Sequence, residues 1–119
     1  MSKGSLRVPD YLSHMLKAIQ RIHSYTDDMI EATFLGNEMV QDAVIRNVEI
    51  LGEAARNIVR HQPDFAAKHS NVPWEDVTLM RNRVSHGYFS VDLEIVWTTV
   101  KRDIPELERQ IRQLLEQFG

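Results

Sequence analysis

Arg81, Asn82, His86 and Tyr88 fall within RNRVSHGYF, residues 81–89. A fixed cation, an amide, an imidazole and a phenol are thus gathered in a chain that has no cysteine. Arginine presents a planar fork of donors suited to phosphate, and histidine exchanges protons near neutral pH. Arginine with histidine and no metal ligands fits cleavage of an RNA phosphodiester in which the 2′-hydroxyl attacks its own phosphate. That reaction needs an acid, a base and stabilisation of charge, but no cation and no cofactor. The same spacing also fits a plain helix end, because helix C-termini attract both residue types. His86 then caps, and Arg81 pairs with a surface carboxylate.

The element that must position these groups is a helix of about thirteen residues, opened by Pro73 and closed by Gly87. Positions 81 and 86 lie about 140° apart on such a helix and do not share a face. Asn82, four residues before His86, does share its face and can orient the ring. A histidine in the last helical position meets the negative end of the macrodipole, which favours the imidazolium. Trp74, Val77, Met80 or Leu79, and Val84 form its expected buried face.

Helical periodicity extends through the rest of the chain. Leu12, Met15, Leu16, Ile19 and Ile22 mark a first helix from Pro9 to about Met29. EATFLGN interrupts the pattern. Asn37 is placed to cap a second helix, with Val40, Val44, Val48, Leu51 and Ile58 on its apolar side and an end near His61. HQPDFAAKHSN reads as a loop. The last segment, about Val91 to Phe118, starts with Asp92 and Glu94 and contains Pro105, which should kink or split it. No strand-length alternation and no repeat is present, so the expected fold is all-α: an up-and-down bundle of four to five helices. One domain is expected over 1–119, with about residues 1–7 as a flexible lead.

Composition narrows the chemistry. The 119 residues, 43% hydrophobic, suffice for a buried core. Neither an apolar run of about 18 residues nor the apolar core of a secretory signal occurs, so a cytoplasmic location without membrane association is expected. The absence of cysteine removes thiolate metal sites and cysteine nucleophiles. A net charge of −3 argues against bulk electrostatic binding of nucleic acid and for a local contact, which the arginines of RNRV, including Arg83, supply.

Other candidates carry less chemistry. The second helix bears a polar stripe, Asp42, Arg46, Glu49, Glu53, Arg56 and Arg60, whose spacing fits a solvated face. Arg46 and Glu53 are its candidates for contact with RNA or a partner. Gly52, Ala54 and Ala55 mark close helix packing, since glycine costs about 1 kcal/mol in a helix. His14, His23, His61 and His69 lack metal-site spacing. No phosphate-binding loop or nucleophile elbow is present. Trp74, Trp97 and Phe34 read as core or interface anchors.

Arg81, His86 and Tyr88 also match the R-x4-H-x-Y motif of HEPN-domain proteins, and RNRVSHGYF resembles its form in the HepT toxins. QDAVIRNVEILGEAA, residues 41–55, is similar to that family's second helix, and VDLEIVW, residues 91–97, to the segment after the motif. The resemblance spans about Pro9 to Leu115. It implies a metal-independent endoribonuclease toxin with a helical HEPN fold, acting as a homodimer whose motif helices face one cleft. It also implies a nucleotidyltransferase antitoxin of the MntA type that adenylylates the motif tyrosine. By position, Arg81 and His86 are then catalytic, Asn82 supports them, and Tyr88 is the modified residue. Two histidines across a two-fold axis would supply the acid and the base that one cannot. The competing expectation is a HEPN bundle serving as a non-catalytic nucleotide- or substrate-binding adapter of a nucleotidyltransferase. An adapter would not require the intact Arg–His pair.

Overall fold

The computed structural model describes residues 7–86 and 92–118, with the side chains of residues 81–86 outside the description. Among the described residues there is no strand. The elements are α1 (Val8–Thr26), α2 (Glu31–Leu35), α3 (Glu38–His61), α4 (Pro63–Lys68), α5 (Trp74–His86), α6 (Leu93–Thr98), a π-helical turn (Thr99–Asp103) and α7 (Ile104–Glu116). The expected all-α bundle is present. Its long members are α1, α3, α5 and α7, and three short helices fill the connections.

Pro9 lies in the first turn of α1, where the Asp10 carboxylate accepts a hydrogen bond from the Arg7 backbone N–H at 3.0 Å. Of the apolar stripe, Leu12, Met15, Ile19 and Ile22 have no exposed surface, and Leu16 is partly buried against the core. Each such burial is worth roughly 1.5–3 kcal/mol relative to exposure. The helix stops at Thr26, earlier than the periodicity suggests. The Thr26 hydroxyl donates to the Ile22 carbonyl at 2.8 Å, and Lys101 Nζ donates to the Thr26 carbonyl at 3.2 Å, closing the end from another element.

EATFLGN does not stay irregular. Its residues form α2, where Thr33 Oγ1 accepts from the Ile30 N–H at 3.0 Å and Gln41 Nε2 donates to the Phe34 and Leu35 carbonyls at 2.9 and 3.0 Å. What stabilises five residues of helix is tertiary: Phe34 is fully buried and its ring lies 5.2 Å from that of Trp97. HQPDFAAKHSN is likewise part helix. Pro63 opens α4 with Asp64 in its first turn and Lys68 in its last, and Phe65 packs its ring 4.5 Å from His69 and 5.9 Å from Phe118.

Asn37 caps α3 as expected, its side chain accepting from the Val40 N–H at 3.0 Å. α3 is the central helix, packed on both α1 and α5. Its Leu51, Ala54, Ala55 and Ile58 share one core cluster with the first half of α1 and with Trp74 and Val77 of α5. Val44 and Val48 share a second cluster with Ile22, and Met80 packs against it. Both neighbours therefore run antiparallel to α3. Gly52 is buried among these small residues, consistent with close helix approach.

Pro105 splits the last segment as expected. Proline removes a helical donor and clashes with the carbonyl four residues earlier, here that of Lys101. The wider π turn over Thr99–Asp103 absorbs this, and Pro105 falls in the first turn of α7. Asp92 caps α6, accepting from the Glu94 and Ile95 N–H groups at 3.0 and 3.2 Å. α7 buries Ile104, Leu107, Ile111 and Leu114 along its inner stripe.

Candidate functional site

α5 carries most of the expected site. It begins with Trp74, whose ring is buried and whose Nε1 donates to the His69 carbonyl at 3.1 Å, and it ends at His86. Arg81, Asn82 and Arg83 therefore stand in its C-terminal half and His86 in its last position, as the proline and glycine signals suggested. Glu75 and Asp76 occupy the first turn. Acids at the start and Arg81, Arg83 and His86 toward the end match the helix dipole at both ends. Of the two candidates for the inner face, Met80 packs on the core while Leu79 is 44% exposed. Tyr88 lies outside the described residues.

The antiparallel packing of α5 on α3 brings the motif-bearing half of α5 alongside the first half of α3. The polar stripe of α3 is divided in its exposure. Asp42, Arg46, Arg56 and Arg60 are exposed, whereas Glu49 and Glu53 are partly buried. Arg46 Nη1 lies 4.0 Å from Glu49 Oε1, an i,i+3 pair whose arginine side chain is 71% exposed. Such a contact is weak and leaves the guanidinium available.

Arg46 and Glu53, the two stripe residues expected to meet RNA or a partner, line one cleft of about 460 Å³ between α3 and α1. Its walls include Tyr11 and His14 of α1 together with Glu49 and Arg56. His14 carries no metal-site spacing in the sequence, and its place opposite the stripe emerges only from the packing. The available signal is the three-residue interval between Tyr11 and His14, about one turn of α1, running from the edge of the core to the exposed His14. Among the described residues no cluster of histidine, aspartate and glutamate is arranged to hold a metal ion.

A second groove of about 360 Å³ runs between α3 and α5, lined by Arg56, Val59, Arg60, Glu75, Thr78 and Leu79. Val59 is 38% exposed and Leu79 44%, so an apolar strip is framed by two cations and an anion. Along α5 the positions 82 and 86 repeat the register of Glu75 and Leu79 at intervals of three and four.

Proteins similar to this chain are known. The family model described as "Ribonuclease HepT-like" matches residues 15–114, which include Arg81, His86 and Tyr88. A protein of Thermococcus cleftensis named "Probable ribonuclease HepT" is 40% identical over 105 residues, covering 88% of this chain and 93% of its own length. One from Caldanaerobacter subterraneus, named "Putative RNase", is 34% identical over 106 residues, covering 89% of this chain and 92% of its own. A relative from Methanocaldococcus jannaschii, whose name joins gamma-glutamylcyclotransferase to an RNase, is 40% identical over 108 residues. The chain spans 91% of itself but only 47% of that longer relative. No solved structure matches the chain.

Proposed function

Because this chain belongs to the HepT-like ribonuclease family, we propose that it is a metal-independent endoribonuclease, the toxin of a toxin–antitoxin pair. The observation that carries the proposal is that residues 81–86 of the R-x4-H-x-Y motif form the end of a helix whose start is fixed by the buried Trp74. Arg81 holds the scissile phosphate and stabilises charge on its equatorial oxygens. His86 moves the protons, taking one from the 2′-hydroxyl or giving one to the departing 5′-oxygen. Asn82 orients the ring. The oxygen–phosphorus bond to the 5′-oxygen breaks as the bond to the 2′-oxygen forms, leaving a 2′,3′-cyclic phosphate.

One imidazole cannot stand on both sides of the phosphate, so the active species is a homodimer. The exposed Val59 and Leu79 support this reading, since they would be buried if two copies met across the α3–α5 groove. Arg56 and Arg60 on one copy and Glu75 on the other would then be complementary in charge. A second copy seated there brings a second α5, and with it a second histidine. Arg46, Glu53 and Arg83 extend the contact to RNA or to the partner.

The partner is a nucleotidyltransferase antitoxin of the MntA type, which attaches AMP to the Tyr88 hydroxyl. The added phosphate brings negative charge and bulk into the motif and competes with RNA for Arg81. Arg81→Ala and His86→Ala test the nuclease reading. Each is expected to abolish cleavage while circular dichroism shows unchanged helix content. Full activity in the double variant refutes the assignment.

A further inference from the structure

The end of the bundle built from α2, the first turn of α3, and α6 carries an apolar surface for which the nuclease reading has no use. Ile30 is 68% exposed, Met39 78% and Ile95 54%, and Leu35 also reaches solvent. Single exposed apolar residues are ordinary. These, however, stand on elements packed together: α2 lies against both α3 and α6, joined by the Phe34–Trp97 contact and by Gln41.

The charge around them is predominantly negative, the nearby cation Lys101 being engaged by the Thr26 carbonyl and the Trp97 ring. Residues 27–42 contain Asp27, Asp28, Glu31, Glu38 and Asp42 and no lysine or arginine. Residues 92–100 add Asp92 and Glu94, again with no lysine or arginine. All of these carboxylates are on exposed residues. Helix polarity accounts for Glu31, Glu38 and Glu94 in first turns and for Asp92 as a cap. It does not account for Asp28 or Asp42, or for the apolar side chains between them. RNA, which brings its own dense negative charge, is repelled by such a face. A protein with an apolar centre and a lysine- or arginine-rich rim fits it.

We propose that this acidic, apolar face is where the nucleotidyltransferase docks, through a basic and apolar patch of its own. The inference rests on the reading above that this enzyme modifies Tyr88. In the sequence Tyr88 falls between the last residue of α5 and the cap of α6, so an enzyme held against α6 and α2 is held close to its target. Docking here also leaves the α3–α5 groove to the second copy, so the dimer and the antitoxin can be bound at once. Complementary charge at the rim speeds encounter and makes it sensitive to salt.

The test uses the full chain in two variants, Met39→Ser with Ile95→Ser, and Glu31→Lys with Glu38→Lys and Asp42→Lys. Each is titrated calorimetrically with a purified MntA-type nucleotidyltransferase, at low and high salt, after circular dichroism has verified the fold. Both variants should bind the enzyme at least about tenfold more weakly, a difference of about 1.4 kcal/mol, and the charge variant should lose most of the salt dependence. RNA cleavage by the free variants and their sedimentation should match wild type. Unchanged affinity in both variants overturns the docking face while leaving the partnership intact. Dissociation of the homodimer in the apolar variant assigns the face to a second copy instead. Absence of binding by wild type overturns both the docking face and the adenylylation, and cleavage by the free chain would still uphold the nuclease.

Discussion

Lys101→Met separates an electrostatic tie from the packing around it. The Lys101 ammonium donates to the Thr26 carbonyl at 3.2 Å and lies 4.7 Å from the centre of the Trp97 ring. It therefore connects the π turn, the end of α1 and the ring that stacks on Phe34. A hydrogen bond to a charged group is worth roughly 1.5–3 kcal/mol, and a cation over an exposed aromatic face about 0.5–1 kcal/mol. Three features lower the total. The 3.2 Å distance is at the long limit for such a bond. The Thr26 carbonyl also accepts from the Met29 N–H at 3.0 Å, so removing the ammonium does not orphan it. Lys101 is moreover an exposed residue, for which water competes. Methionine keeps the aliphatic stem. The expected loss is about 1 kcal/mol, which lowers the melting temperature by about 3–6 °C for a chain of this size and the urea midpoint by about 0.5 M. Chemical denaturation of wild type, Lys101→Met, Trp97→Leu and the double variant measures it, with a coupling of about 0.5 kcal/mol assigned to the ring. An unchanged midpoint in Lys101→Met would mean that Thr26 and Met29 alone fix the end of α1.

Leu79→Arg, which adds a cation to a groove already lined by Arg56 and Arg60, should shift sedimentation from dimer to monomer and reduce RNA cleavage with it; an active monomer would refute the shared cleft. Tyr88→Phe should bind the nucleotidyltransferase yet gain no AMP mass, and cleavage by this variant should escape silencing; equal AMP additions on wild type and variant would place the modification elsewhere. The hydrogen bonds of Arg109 to the Glu106 carboxylate, followed by the charge of Arg109, hold the Glu106 carboxyl below the usual glutamate range. A carboxyl lowered in the folded state stabilises above its unfolded titration range, and that contribution is lost as pH falls through the lowered value. Arg109→Gln should therefore move the Glu106 midpoint upward in a carbon-detected NMR titration, and an unmoved midpoint would exclude Arg109 as the cause.

The long helices were legible in the sequence because each had both a periodic stripe and a start signal. Asn37, Pro73 and Pro105 all act where local chemistry places them. The short helices were not legible in EATFLGN and HQPDFAAKHSN. Helices of five or six residues owe their stability to contacts from distant segments, the Phe34–Trp97 pair and the packing of Phe65 on Phe118. Met29, the expected end of the first helix, packs against the second core cluster from beyond the helix end. The motif at Arg81 and His86 was visible as spacing. Its setting was not, since the groove between α3 and α5 and the meeting of His14 with Arg46 depend on how α1, α3 and α5 pack.

The central claim is metal-free transesterification by the motif, and the chemistry of the cut ends tests it most directly. An RNA oligonucleotide labelled at its 5′ end is incubated with the purified chain in excess EDTA, and the products are resolved by mass. The account predicts cleavage at the wild-type rate, with fragments ending in 2′,3′-cyclic phosphate and their partners beginning with a 5′-hydroxyl. Fragments with 3′-hydroxyl and 5′-phosphate ends, formed only when a divalent cation is added, would contradict it.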